Sequence, residues 1–240
     1  MKFLVFDTET TGLPTANLIG PQYLEQWPYI VQLSYVIYDD ERNTIELKDY
    51  IIKIPDNIDI PQESINIHGI TKKISNTYGV SIYEVFAEFY YYFKIADKII
   101  GHNINFDINM IRVELLRKIY NSAHSSLINY IKETEPTIED SQLLKKYLNE
   151  IQNNQNIICT MKTNVEFCNI IALSKYGKPY VKYPTLTQLH NKIFLCELKM
   201  LHDASVDVLV TLRCYIKLTY NIDLFQHCKA FKLRSRKIYN

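Results

Sequence analysis

The apolar run Phe3–Phe6 ends on two carboxylates, Asp7 and Glu9, set one residue apart. In an extended chain residues i and i+2 project from the same side, so a buried strand here puts two like charges on one face. Such a strand is tolerable if divalent cations lie between the acids, and hard oxygen donors suit magnesium or manganese. A cation site of this kind needs further acids from elsewhere in the chain. The fold therefore has to bring distant carboxylates to the end of its first strand.

The remaining pattern indicates how that can happen. A strand over 2–7 is followed by a loop through Gly12, Pro14, Gly20 and Pro21. IVQLSYVIYD and NTIELKDYIIKI alternate as strands around the polar turn DDERN, a hairpin signal. Ser81 and Glu84 have capping-box spacing and open a helix toward Lys94, within which Tyr90–Phe93 reads as core. DKIIGHN reads as a short strand entering a loop, FDINMIRVELLRKI as a helix, and NIICTM as a strand near 156–161. A second capping box, Thr185 to Gln188, opens a helix through Phe194, and ASVDVLVTLRCYIKL forms a final amphipathic helix. A hairpin followed by strands interleaved with helices describes an α/β fold with a mixed central sheet of about five strands and helices on both faces.

At 240 residues and 47% hydrophobic content the chain suits one domain with a sizeable core. Two stretches depart from the compact pattern: a polar insertion at about 119–156, helical in period only in its second half, and a basic tail from about 229 that reads as a solvated, frayed end, with a phosphate-contacting tail as the alternative. The five cysteines form no CxxC pair and read as reduced core thiols. No leader or membrane-spanning run is evident, so a soluble, intracellular protein is expected. A net charge of +1 does not advertise a polyanionic partner, although bound cations would supply a local positive field.

Candidate acids to join Asp7 and Glu9 are Asp107, at the start of the helix after GHN, and Asp207, one turn into the final helix. His202 precedes Asp207 by five positions and can approach the same cleft. Singly, each has an ordinary structural reading: a first-turn Asp compensates the helix dipole, and a His packs with satisfied nitrogens. Together, FDTETTGL, GHNINFD and HDASVD resemble, in order, the three motifs of the DEDDh (DnaQ-like) 3′–5′ exonucleases, a family similar to the proofreading subunit of bacterial replicative DNA polymerases. IPQESINIHGIT, ICTMKT and YPTLTQLHNKIF match its connecting stretches, whereas 119–156 has no counterpart in its compact members.

The resemblance implies a ribonuclease H-like fold and a two-metal site. Asp7, Glu9, Asp107 and Asp207 would hold two divalent ions, Mg2+ or Mn2+, and His202 would take the proton from the attacking water. The reaction implied is release of nucleoside 5′-monophosphates from a single-stranded or frayed 3′ end of DNA, with a DNA polymerase as a partner. Thr10 and Thr11 would meet the terminal 3′-hydroxyl, Leu13 the base, and His68 the other wall of the pocket. His102 and Asn103 either reach a phosphate or shape the turn. The alternatives are an RNA-trimming exonuclease on the same fold and a non-catalytic nucleic-acid-binding scaffold.

Overall fold

A computed structural model of the chain describes residues 1–120, 140–198 and 203–239. Its centre is a five-stranded sheet in the order β3-β2-β1-β4-β5. The strands are β1 Lys2–Thr10, β2 Ile30–Asp39, β3 Thr44–Ile51, β4 Lys98–Gly101 and β5 Ile157–Cys159. β1, β2 and β3 pair antiparallel, and β1, β4 and β5 pair parallel, so the sheet is mixed as expected. β1 runs three residues further than the sequence pattern marks, through both acids to Thr10.

The longer helices are α1 Gln62–His68, α2 Lys72–Tyr78, α3 Ile82–Ile95, α4 Ile104–Tyr120, α5 Asp140–Asn153, α6 Leu186–Phe194 and α7 Ala204–Tyr220. The pleat of β1 divides them between two cores. Leu4 and Phe6 pack with residues of α3, α4 and α5, while Phe3 and Val5 pack with residues of α6 and α7 on the opposite face. Thr8 continues the first parity and Asp7 and Glu9 the second, so the sheet presents its two acids on the α7 side.

Local chemistry sets the helix starts. Thr185 and Gln188 form the complete reciprocal capping box at α6. At α3 the expected box does not form: the Ser81 hydroxyl caps the helix by accepting from the Tyr83 N–H instead of from Glu84. Gly101 ends β4 where a Cβ would come within 2.8 Å of the Ile104 side chain, so only glycine lets the first turn of α4 fold this tightly onto the strand.

Three expectations change. Residues 140–153 are not a surface addition, because Leu144, Tyr147 and Ile151, at i, i+3 and i+7 spacing, bury into the α3–α4 core. Each is worth about 1.5–3 kcal/mol, and a polar count over the whole segment hides this narrow stripe. Residues 121–139 lie outside the described part. The basic end is helical, not frayed: Leu224–His227, Lys229–Arg234 and Arg236–Tyr239 form short helices after α7 that bury Phe231 and Ile238. Among the five free cysteines, Cys196 is exposed while the other four are buried. Tyr90 and Phe93 are core as expected, with Tyr91 between them exposed.

Candidate active site

The two acids of β1 stand at the end of the strand where the polar residues of β2 face them. Asp7 lies opposite Ser34 and Glu9 opposite Gln32, both buried, and the register slips between Glu9 and Thr10. A bulge there turns the chain out of the ladder directly after the second acid. Ser34 and Gln32 donate to the Asp49 carboxylate on β3 at 2.6 and 2.8 Å. Gln32 also reaches the first turn of α7: its amide nitrogen is 3.3 Å from Asp203, and its carbonyl accepts from the Ala204 N–H. Asp203 caps α7 through bonds from the Ser205 N–H and hydroxyl at 2.9 and 2.7 Å. This network ties the start of α7 to the sheet and so fixes where Asp207 enters.

Carboxylate oxygens of Asp7, Glu9 and Asp207 lie within 4.8 Å of one another. Asp107 approaches from the other face of β1, on the first turn of α4, where its Oδ1 accepts from the Thr8 N–H at 3.0 Å and hydroxyl at 2.7 Å. Strand parity explains this arrangement: Thr8, between the two acids, points to the α4 side and holds the acid that α4 supplies. His202 lies outside the described residues.

The electrostatics record the crowding. Burial pushes the Glu9 carboxyl up to about 8, with Asp207, Asp107 and Asp203 adding to the shift. Asp107 rises to about 7 through burial, offset in part by the Thr8 bonds and reinforced by Asp207. Asp7 lies well above the usual carboxylate range, from burial first and then from Asp107, Asp207, Glu9 and Asp203. For Asp7 and Glu9 the neighbours that add to the shift are all acids, and the N-terminal dipole of α7 is a modest counterweight. Four oxygen-donor acids crowded in this way fit hard divalent cations.

Of the expected end-binding residues, His68 is joined to Thr10, the residue directly after the second acid. Leu13 is 83% exposed. His68 is the last residue of α1, not part of a loop, and Gly69 follows it in the left-handed conformation that ends the helix. Its Nδ1 accepts from the Ile70 N–H at 3.0 Å, which leaves Nε2–H to donate to the Thr10 carbonyl at 3.3 Å. Burial lowers its pKa, outweighing that bond. Thr11 is spent on the loop, its N–H donating to the Tyr29 carbonyl and its hydroxyl accepting from the Tyr29 N–H.

His102 is also occupied. Burial lowers its pKa to about 4, so the ring is neutral, with Nε2–H donating to the Pro184 carbonyl and Nδ1 facing the Thr160 hydroxyl, both at 3.0 Å. These bonds tie the turn after β4 to Thr160 and Pro184, in segments distant in sequence. Asn103 is exposed and takes a left-handed φ of 70°, with its carbonyl accepting from the Phe106 N–H as α4 begins. The residues missed in the sequence are Gln32, Ser34, Asp49 and Asp203. Parity could have found the first two, since both interrupt an apolar strand on one face.

The RNase_T exonuclease family model matches residues 4–215. The chain belongs to this exonuclease family, in keeping with its three motifs. It is similar to a PolC-type DNA polymerase III of Pediococcus pentosaceus, 23% identical over 188 residues, which is 75% of this chain and 12% of that protein. Among solved structures it resembles exonuclease I of Methylocaldum szegediense, with a TM-score of 0.57, 17% identity, and coverage of 97% of this chain and 42% of that one. It also resembles E. coli exonuclease I in complex with an oligonucleotide, with a TM-score of 0.57, 18% identity, and coverage of 92% and 41%. The chain thus spans about two fifths of these structures and about an eighth of the polymerase. The likeness establishes a ribonuclease H-like fold.

Proposed function

We propose that the chain is a metal-dependent 3′–5′ exonuclease that removes nucleoside 5′-monophosphates from single-stranded or mispaired 3′ ends of DNA. The observation that carries this reading is the meeting of Asp7, Glu9 and Asp207 oxygens within 4.8 Å, with Asp107 beside them, in a field of negative charge. These four residues would hold two divalent ions, Mg2+ or Mn2+. Such ions, when bound, generate a nucleophile at neutral pH and stabilise the charge that develops on the leaving oxygen.

The chain's own groups supply the rest. His202, five residues before Asp207, takes the proton of the attacking water, a task suited to an imidazole titrating near neutrality. Thr8 orients Asp107. Leu13 stacks on the terminal base, and the lip joining Thr10 to His68 encloses the terminal sugar. A paired end must open to enter, so frayed ends are cut faster. The oligonucleotide bound by exonuclease I and the likeness to a PolC-type polymerase support DNA as substrate and a proofreading or trimming role beside a polymerase. No described helix is long and apolar enough to cross a membrane.

The test is digestion of 5′-labelled linear DNA, its circular form and a matched RNA, in magnesium and in excess chelator. Stepwise shortening of linear DNA in magnesium alone supports the reading. Cutting of the circle, undiminished activity in chelator, or a preference for RNA contradicts it.

A further inference from the structure

Residues Ile170–Leu173 (β6) and Pro179–Lys182 (β7) form a two-stranded antiparallel ribbon separate from the central sheet. A ribbon of this length is marginal alone, and its strands bury little. Ile171 pairs with Val181 and Leu173 with Pro179, so one face presents Ile171, Leu173 and Val181, which are 60%, 70% and 45% exposed. Tyr176 at the turn is 77% exposed, and Tyr180 and Tyr183 are also exposed. Lys175, Lys178 and Lys182 rise from the same fourteen-residue stretch 170–183, and none makes an ion pair among the described residues. Between Glu166 and Glu197 the sequence holds four lysines and no acid.

The base of the ribbon is fastened to the site. The Pro184 carbonyl, two residues beyond β7, accepts from His102, and His102 opens the turn into the helix that carries Asp107. From Pro184 to the turn at Gly177 the extended chain reaches about 20 Å. The ribbon is therefore a basic, aromatic arm rooted beside the acid cluster and opposite to it in charge.

We infer that this ribbon is a track for single-stranded nucleic acid, holding the part of the strand that lies 5′ of the terminal nucleotide. The lysines meet phosphates, and Tyr176 at the turn and Tyr180 on the face it shares with Lys182 offer rings to bases, the combination that binds single strands without sequence preference. Charge complementarity favours a polyanion over a protein as the occupant of the ribbon's basic face, where strand parity places Tyr180 and Lys182 opposite Ala172 and Ile170. The inference rests on the exonuclease reading for the direction of the strand, but its binding test does not need turnover.

The test measures binding of a fluorescent twenty-nucleotide thymidine strand in chelator as a function of salt, for the parent and for K175A/K178A/K182A. Each phosphate contact on a single strand contributes about 0.7 to the slope of log affinity against log salt, so the triple variant should lose about 2. Tyr176→Ala should weaken binding roughly tenfold with the slope unchanged. Cleavage of a thymidine dinucleotide should be unaltered in both variants, because a dinucleotide does not reach the ribbon. K175E/K178E, confined to two exposed positions, gives the same readout if the triple variant loses its fold. Parental affinity and slope in the folded variants would overturn the inference and leave this face to a protein partner. A parent that binds the strand through the ribbon in chelator yet fails to cut it in magnesium would sink the exonuclease reading while sustaining this one.

Discussion

Helix α7 carries a buried acid problem solved in opposite ways along its length. In its first turn Asp207 joins Asp7 and Glu9, and burial with mutual repulsion raises the pKa of the two strand acids. Two turns further on, Arg213 makes a bidentate pair with Asp223 just beyond the helix, Nε to Oδ1 at 2.7 Å and the outer nitrogen to Oδ2 at 2.8 Å. Burial works against the Asp223 charge, but Arg213 holds its carboxyl below the usual range. The guanidinium also lies 3.9 Å from the Phe194 ring centroid and 4.2 Å from that of Tyr239, locking the C-terminal helices against α6 and α7. Where an acid serves the fold, the chain supplies its counter-charge. In the cluster the neighbours that shift Asp7 and Glu9 are acids like themselves.

Substitutions at the two places should therefore fail in different ways. Asp7→Ala should abolish hydrolysis while leaving the metal-free protein as stable as the parent or slightly more so, because it removes a repelled charge. Its melting temperature in chelator and its turnover in magnesium are the paired readouts. His202→Ala should lower turnover by about 10²–10⁴-fold and weaken the acidic limb of the pH–rate profile, with metal affinity little changed. Parental turnover and an unchanged limb would remove His202 from the mechanism.

Asp223→Ala should do the reverse. Losing one member of a buried pair costs about 3–5 kcal/mol, which denaturant titration would read directly. Turnover at a temperature where the variant is folded should stay near the parental value. A smaller effect is expected at Thr8→Val, which keeps the shape but deletes the hydroxyl that holds Asp107. Loss of such a supporting bond typically costs 10–100-fold in metal affinity or activity, so the magnesium concentration for half-maximal rate should rise.

The acid cluster was legible because its signals are local. Same-face placement of Asp7 and Glu9 follows from strand parity, and the first-turn positions of Asp107 and Asp207 follow from helix starts that the sequence marks. The mixed sheet was legible for the same reason, through the β2–β3 hairpin and the alternation beyond it. What escaped are relations between segments distant in sequence. Nothing near Asp203 signals that it meets Gln32, and nothing near His102 signals that Pro184 consumes one of its nitrogens. The α5 stripe was hidden by the polar residues around Leu144, Tyr147 and Ile151, whose burial depends on the groove between α3 and α4. The β6–β7 ribbon left little trace because it has no core face strong enough to impose a period.

The contrast along α7 rests on the claim that the cluster is built for divalent cations, and thermal unfolding against pH with and without magnesium tests it most directly. Glu9 has an ordinary value of 4.5 and a folded value of about 8. Its charge therefore costs the metal-free fold nothing below pH 4.5, and the penalty grows as pH rises toward 8. Its contribution should lower the melting temperature of the parent in chelator across that window. Magnesium at pH 8 should restore the loss, and Asp7→Asn should show both a smaller loss and a smaller magnesium gain. A parent indifferent to magnesium at pH 8, or one stabilised no more than Asp7→Asn, would contradict the account.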